Sequence, residues 1–251
     1  MPHIRIARDL QDVRILCVTL ERPVQRNAMS ARMVEELLRF LESREAAEAG
    51  AIVLSGEGRG FCAGSDLGEL AVMDAHDRSR FEADCGRIAR AMMAFPRPLI
   101  AGVHGFAIGG GLTLAAACDI VVSAPDVRWS LPEVPIGLFP AWGLEGVIRR
   151  VGQPLARRLS WGIDTLDGAS AMRWGLADEM ADDPVGVALE RARQLSALPH
   201  EQVSQVKRYF AVDRTGEEAD ALANALFLSA CESDAATASF EARLAKARAE
   251  K

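Results

Sequence analysis

Short apolar runs alternate with stretches of helical spacing along the first part of this chain. Residues 4–7 and 14–20 are rich in aliphatic and β-branched side chains, and the polar Asp9, Gln11 and Asp12 between them predict a hairpin. After a polar loop at 22–27, Ser30 is placed to cap a helix. Its Met33, Val34, Leu37, Leu38 and Leu41 recur at helical spacing, and Gly50 ends it. Ala51-Ile52-Val53-Leu54-Ser55 predicts a buried strand. Residues 73–79 are polar and predict a mobile connection, followed by a helix over about 80–95 that Pro96 and Pro98 stop. Residues 99–103 predict the next strand, and 112–118, small and free of proline, the next helix. Two short strands are expected at 120–123 and 127–130. From Leu144 onward nearly everything has a helical pattern, the last segments lying at about 183–197, 201–210, 217–229 and 235–249.

This order of strands, helices and glycine-rich turns is a ββα-like rhythm and predicts an α/β fold. The loss of strand character near residue 183 divides the chain into a core at 1–182 and a helical C-terminal region at 183–251. With 251 residues, 49% of them hydrophobic, there is ample material for a core. The net charge of -6 argues against a general nucleic-acid or anionic-membrane surface. No apolar run reaches the roughly 18 residues that a bilayer span needs. The first residues lack a signal-peptide segment, and Ala249-Glu250-Lys251 is no peroxisomal address. Cys17, Cys62, Cys85, Cys118 and Cys231 are widely spaced and show no metal-ligand spacing, so a reduced cytoplasmic chain without a metal site is the simpler expectation.

Candidate chemistry gathers in three places. The first is His104-Gly105-Phe106-Ala107-Ile108-Gly109-Gly110-Gly111-Leu112-Thr113, where a strand gives way to a helix. Glycine lets another group approach the main chain closely, and the first turn of a helix leaves N–H groups unpaired with a partial positive charge. Together they can make a pocket for a negative oxygen; the plain alternative is a tight turn where helix and sheet pack closely. The second is the loop Gly56-Glu57-Gly58-Arg59-Gly60-Phe61-Cys62-Ala63-Gly64-Ser65-Asp66-Leu67, with more glycine than an idle connection needs. The third is Glu133, between Pro132 and Pro135 and flanked by Leu131, Val134 and Ile136. Desolvation there would raise its pKa toward the range of a useful base; otherwise it is a solvated turn residue.

Taken together, the stretch from Gly60 to Leu67, the stretch from Gly105 to Gly111 with Cys118-Asp119-Ile120, and Leu131-Pro132-Glu133-Val134-Pro135-Ile136-Gly137-Leu138-Phe139-Pro140 resemble the enoyl-CoA hydratase/isomerase (crotonase) superfamily. The Arg22-Pro23 loop and residues 169–178 also look like that family, so the resemblance covers nearly the whole chain. It implies a crotonase-like spiral of ββα repeats with a helical C-terminal trimerisation region, assembled as a homotrimer or hexamer. It implies an acyl-CoA thioester as substrate, with no separate cofactor because CoA is part of that substrate. An enolate oxygen would be held by two backbone N–H groups, those of Ser65 and Gly110. Arg26, Ala63, Gly64, Asp66, Leu67 and Gly109 fall where the family binds substrate and CoA. Arg26 suits a phosphate contact or simple solvation, and Trp142, with Trp129 and Phe139, suits an acyl pocket or plain core packing.

The departures from the family pattern bear on the reaction. Two-base hydratases of the family carry one Glu shortly after the triple glycine and a second in the Pro-Glu loop. Here those positions are Thr113 and Glu133. Thr113 cannot accept a proton at neutral pH, so one obvious acid–base group remains. Hydration divides naturally between two carboxylates, whereas a double-bond shift needs one carboxylate that takes a proton from carbon two and returns it to carbon four. The usual glycines that follow are partly replaced, by Ala141 and Leu144. The favoured expectation is an enoyl-CoA isomerase; the alternatives are an enoyl-CoA hydratase and a non-catalytic CoA-thioester binder. His104 is expected to be structural, Cys62 lacks a His to activate it, and Arg149-Arg150 and Arg157-Arg158 are expected on solvated helix faces.

Overall fold

β1 (Ile4–Arg8) and β2 (Ile15–Leu20) form the predicted hairpin, with Ile4 opposite Leu20 and Arg8 opposite Leu16. The structure, a computed structural model, describes residues 2–211, 216–232 and 234–250. Next come α1 (Ala31–Leu41), α2 (Arg44–Glu48) and β3 (Ala51–Gly56). Ser30 caps α1 by accepting from the Met33 N–H at 3.1 Å, as its position predicted. The expected single helix is in fact two, because Ser43 caps α2 by accepting from the Ala46 N–H. A capping serine offers the backbone a local partner and so restarts the helix.

α3 (Leu67–Val72), α4 (Ala75–Ala94), β4 (Leu99–Val103), β5 (Phe106–Ile108) and α5 (Gly110–Ala116) follow. Residues 73–79 are not a mobile connection: Asp74 accepts from the Asp77 N–H and α4 begins at Ala75. Their polarity is that of a capped, solvated first turn. The glycine-rich turn leads out of β5, which belongs to a different sheet from β4, and α5 starts two residues earlier than expected. Then come β6 (Ile120–Ser123), β7 (Arg128–Ser130), α6 (Leu144–Ser160), β8 (Thr165–Leu166), α7 (Gly168–Trp174) and β9 (Glu179–Met180). The chain closes with α8 (Pro184–Ser196), α9 (His200–Ala211), α10 (Gly216–Cys231) and α11 (Asp234–Ala249). β8 and β9 interrupt the stretch expected to be helical; each is two residues long and too short to show a period.

The larger sheet has the order β1-β2-β3-β4-β6-β9, with β1 antiparallel to β2 and the other neighbours parallel. Alternate residues of its strands point to opposite faces. Leu16, Val18, Ile52 and Leu54 enter a core shared with Met33, Leu37, Ile88 and Met92 of α1 and α4. Ile15, Val53, Ile100 and Val122 meet Ala188 and Ala192 of α8 on the other side. Burial on both faces is why these strands have unbroken apolar runs. It also makes α8, the first helix past residue 183, a layer of the sheet's packing. The smaller sheet, β5-β7-β8, pairs β5 with β7 in parallel and β7 with β8 antiparallel. Its β5 and β7 lead into two of the three segments that carry the candidate chemistry.

Candidate active site

The two glycine-rich segments lie against each other. The Ile108 N–H donates to Cys62 O at 3.0 Å and the Phe61 N–H to Phe106 O at 3.0 Å, so the 56–67 loop is laced along β5. Gly64 has φ +87, and a Cβ there would sit 2.9 Å from Ile108 O and 3.1 Å from Gly110 N; no other residue fits. Ser65 follows it, between two pinned neighbours. The Met29 N–H donates to Gly64 O at 2.8 Å and the Asp66 N–H to Met29 O at 2.9 Å. Asp66 caps α3 and pairs with Arg22 at 3.0 Å. Gly110 opens α5, where helix geometry leaves its N–H without an internal acceptor. Among the described residues, neither the Ser65 nor the Gly110 N–H donates to any acceptor. Two free main-chain donors thus lie on backbone segments that pack against each other, at the N-terminus of a helix. Such a place holds an oxygen that becomes negative, at no cost in reorganisation.

Glu133 joins them from the third segment. It caps the 3-10 turn Val134–Ile136, and its own carbonyl accepts from the Leu138 N–H at 2.8 Å and the Ile136 N–H at 3.1 Å. The residue is half-buried, but the tip of its side chain is enclosed: Oε2 is shut off from solvent and has no hydrogen-bond partner. Oε1 would lie 2.5 Å from a Cβ at Gly109, which has φ +55, so glycine there makes room for the carboxyl. Burial pushes Glu133 up to about 7. A carboxyl with that midpoint is a base in half its molecules at neutral pH. Thr113 does not share the space. It is 2% exposed, its Oγ1 donates to Gly110 O at 3.1 Å, and Gly143 packs on its other side.

The enoyl-CoA hydratase/isomerase family model matches residues 11–246. A 2,3-dehydroadipyl-CoA hydratase of Escherichia coli is 34% identical over 186 residues, 73% of this chain and 71% of that protein. A probable enoyl-CoA hydratase of Bacillus subtilis is 36% identical over 190 residues, 74% of this chain and 72% of the other. The chain belongs to the enoyl-CoA hydratase/isomerase family. A crystal structure of an enoyl-CoA hydratase/isomerase from Mycobacterium paratuberculosis superimposes with a TM-score of 0.85 at 26% identity, covering 96% of this chain and 98% of that one. The fold is therefore the α/β crotonase fold that the motifs implied.

Other candidate residues of this family member fall as follows. Trp142 is 4% exposed and packs over Gly110, where a Cβ would come within 2.6 Å of its ring. Trp129 is wholly core: its Nε1 donates to Ser123 Oγ at 3.1 Å. Arg26 stacks over the Phe106 ring at 4.6 Å, and its carbonyl accepts from the Ala63 N–H at 3.1 Å. Leu67 is the first residue of α3. The His104 ring bonds Gly58 O at 2.9 Å, which ties down the loop. Cys62 is buried, and burial raises its thiol to about 12, far from a nucleophile. Arg150 corrects an expectation: instead of facing water it donates to Ala116 O and Cys118 O and pairs with Asp178 at 2.9 Å. The last carbonyls of α5 need donors, and a long basic side chain supplies them. A groove of about 650 Å³ is lined by Ala116, Cys118, Arg149, Arg150, Lys207 and Phe210 among others, and includes none of Ser65, Gly110 or Glu133. Among the described residues no helix is long and apolar enough to cross a membrane.

Sequence reasoning missed one group. Glu82 lies on the inward face of α4 with Phe81, Cys85, Ile88 and Ala89, and is only 3% exposed. The signal was present: Glu82 stands three residues before Cys85 and seven before Ala89, on an apolar stripe.

Proposed function

We propose that this protein binds an enoyl-CoA thioester and shifts its double bond. The thioester oxygen accepts from the Ser65 and Gly110 N–H groups, which stabilise the enolate as it forms. Glu133 takes a proton from carbon two, and the electron pair of that C–H bond moves into the enolate. A proton delivered to carbon four completes the shift, and a carboxylate lying between the two carbons serves both ends. The observation that carries this reading is the orphaned Glu133 carboxyl beside two free main-chain donors, with Thr113 bonded away from them. The Ala63–Leu67 strip and Arg26 are the residues assigned to CoA, and Trp142 to the acyl chain. No cofactor beyond the CoA of the substrate is required by this chemistry.

Hydration is the second reading, favoured by the names of both curated relatives and by the presence of another buried carboxyl, Glu82. Product analysis with 3-enoyl-CoA and 2-enoyl-CoA side by side separates the readings. Conversion of the first to 2-enoyl-CoA, with little 3-hydroxyacyl-CoA from the second, is expected. Rapid hydration of 2-enoyl-CoA overturns the isomerase reading, and binding without reaction of either points to a non-catalytic binder. The same proposal includes assembly as a trimer or a pair of trimers in the cytoplasm. Exposed Trp161, Ile163 and Val206 support burial between subunits, and five free cysteines support a reducing compartment. A monomer in light scattering at micromolar concentration overturns the assembly.

A further inference from the structure

Asn27 ties separate stretches of chain together beside the Ser65 N–H. It is fully buried. Its Oδ1 accepts from the Arg22 N–H at 2.9 Å, and its Nδ2 donates to Glu57 O at 2.8 Å and to Gly60 O at 2.9 Å. Its main-chain N–H donates to Arg22 O at 2.8 Å. Both amide hydrogens are taken, and one N–H and two carbonyls fix which end of the amide is oxygen. Asn27 and its neighbour Arg26 both have φ +54, and among the described residues they alone hold positive φ without being glycine. Asn visits that conformation readily and Arg seldom does. Backbone held there persists only where its surroundings fix it, and such residues gather at functional sites.

What this turn holds is the strip that carries Ser65. The Ala63 N–H donates to Arg26 O at 3.1 Å, the Met29 N–H to Gly64 O at 2.8 Å and the Asp66 N–H to Met29 O at 2.9 Å. Met29 thus bonds the residues on both sides of Ser65, in a parallel β-bridge. In that pattern the N–H and C=O of Ser65 itself turn to the other edge of the strip. That edge runs along β5, through the bridge between Cys62 and Ala107, toward Gly110 at the start of α5. A Cβ on Gly64 would lie 3.1 Å from Gly110 N, so the strip and the helix start are in contact there. The direction of the Ser65 N–H is therefore set by residues 26–29, and their path is set by Asn27. The Arg22 guanidinium adds a tie of its own, donating to Ala28 O and to Asp66 Oδ2.

We propose that Asn27 is the positioning residue of the Ser65 donor: its amide holds residues 26–29 in the left-handed turn that aims the Ser65 N–H at the thioester oxygen. Asn27 is buried behind the strip and acts through Ser65. The inference rests on the Ser65 and Gly110 N–H groups being the pair that binds that oxygen. A hydrogen bond to a developing anion depends steeply on distance and angle, so a strip that slides by a fraction of an ångström loses it without unfolding. The Gly110 N–H needs no such device, because the helix it opens sets its direction. One donor is thus aimed by a helix, and the other by a loop that a single side chain knots.

The test pairs kinetics with the ¹³C signal of butanoyl-CoA labelled at its thioester carbon, in the native protein, Gly110→Pro, Asn27→Gly and Asn27→Asp. N–H groups that draw on the carbonyl oxygen move that signal downfield of free butanoyl-CoA, and the readout needs no turnover. A downfield shift in the native protein, reduced in Gly110→Pro, is expected. Asn27→Gly accepts the positive φ and lacks the amide. It should fold, lose about tenfold or more in kcat with KM changed less, and lose part of the downfield shift. Asn27→Asp keeps the shape of Asn but sets a carboxylate oxygen against Glu57 O and Gly60 O, so it should do no better than Asn27→Gly. Native kcat and carbonyl signal in a folded Asn27→Gly, or their recovery in Asn27→Asp, overturns the proposal while the reading of the N–H pair stands. A fall in kcat with the carbonyl signal unchanged also overturns it. No downfield shift in the native protein overturns the reading of the N–H pair, and the proposal with it. If neither enoyl-CoA reacts, the carbonyl signal alone decides. Failure of both Asn27 variants to fold assigns Asn27 to the fold alone and overturns the proposal.

Discussion

The thioester end and the proton-carrying end of the site are built by opposite means. At the thioester end of the proposed site the groups assigned are the main-chain N–H groups of Ser65 and Gly110, and side chains matter there mainly by their absence. At the other end the proposed base is a side chain, Glu133, whose tip is denied water and whose Oε2 has no hydrogen-bond partner. The first device is indifferent to pH and to most substitutions that keep the backbone path. The second is sensitive to both, since desolvation is the main cause of its raised midpoint.

Four experiments press on that contrast. Glu133→Gln keeps size and removes the base, and is expected to lower kcat by about 10²–10⁴-fold while thioester binding, measured by calorimetry, survives. The sign of the native pH dependence follows: Glu133 must be ionised, so kcat should rise as pH increases through about 7. Gly110→Pro removes one main-chain donor and should cost roughly 10²–10³-fold in turnover at every pH. Circular dichroism must accompany it; a folded Gly110→Pro protein with native turnover would falsify the N–H assignment.

The third concerns stability. Burial raises Glu82 to about 8 in the folded protein, while the unfolded chain releases that proton near the ordinary glutamate value of 4.5. The folded state therefore binds more protons across that window, and stability falls as pH rises through it. Glu82→Leu should melt higher than the native protein at pH 9, with the gap shrinking toward pH 5; equal melting points at both would remove Glu82 as a buried acid. The smallest effect is expected from Arg22→Ala. It removes the ion pair and the bond to Ala28 O that steady Asp66 beside the Ser65 donor. A loss of about 1–3 kcal/mol in urea unfolding, with activity reduced less than in Gly110→Pro, is expected.

Much of this molecule was legible in its residues. The alternation of apolar runs and helical spacing determined the α/β class, because strand and helix periods are local properties of the backbone. The glycines marked where main chain approaches main chain, and two prolines marked the stiff setting of Glu133. Local pattern could not tell β4 from β5 as members of different sheets, nor show that Ala188 and Ala192 of α8 cover the second face of the sheet. It left Arg150 in solvent, because only the packed end of α5 reveals the carbonyls that need it. Whether Glu133 is solvated or desolvated was open in the sequence for the same reason: a pKa depends on what surrounds the carboxyl, and Gly109, which makes room for it, comes from a separate segment of the chain. Glu82 is the sharpest case. Its helical stripe was written in the sequence, but that its carboxyl is buried there with no hydrogen-bond partner among the described residues is decided by how α4 packs.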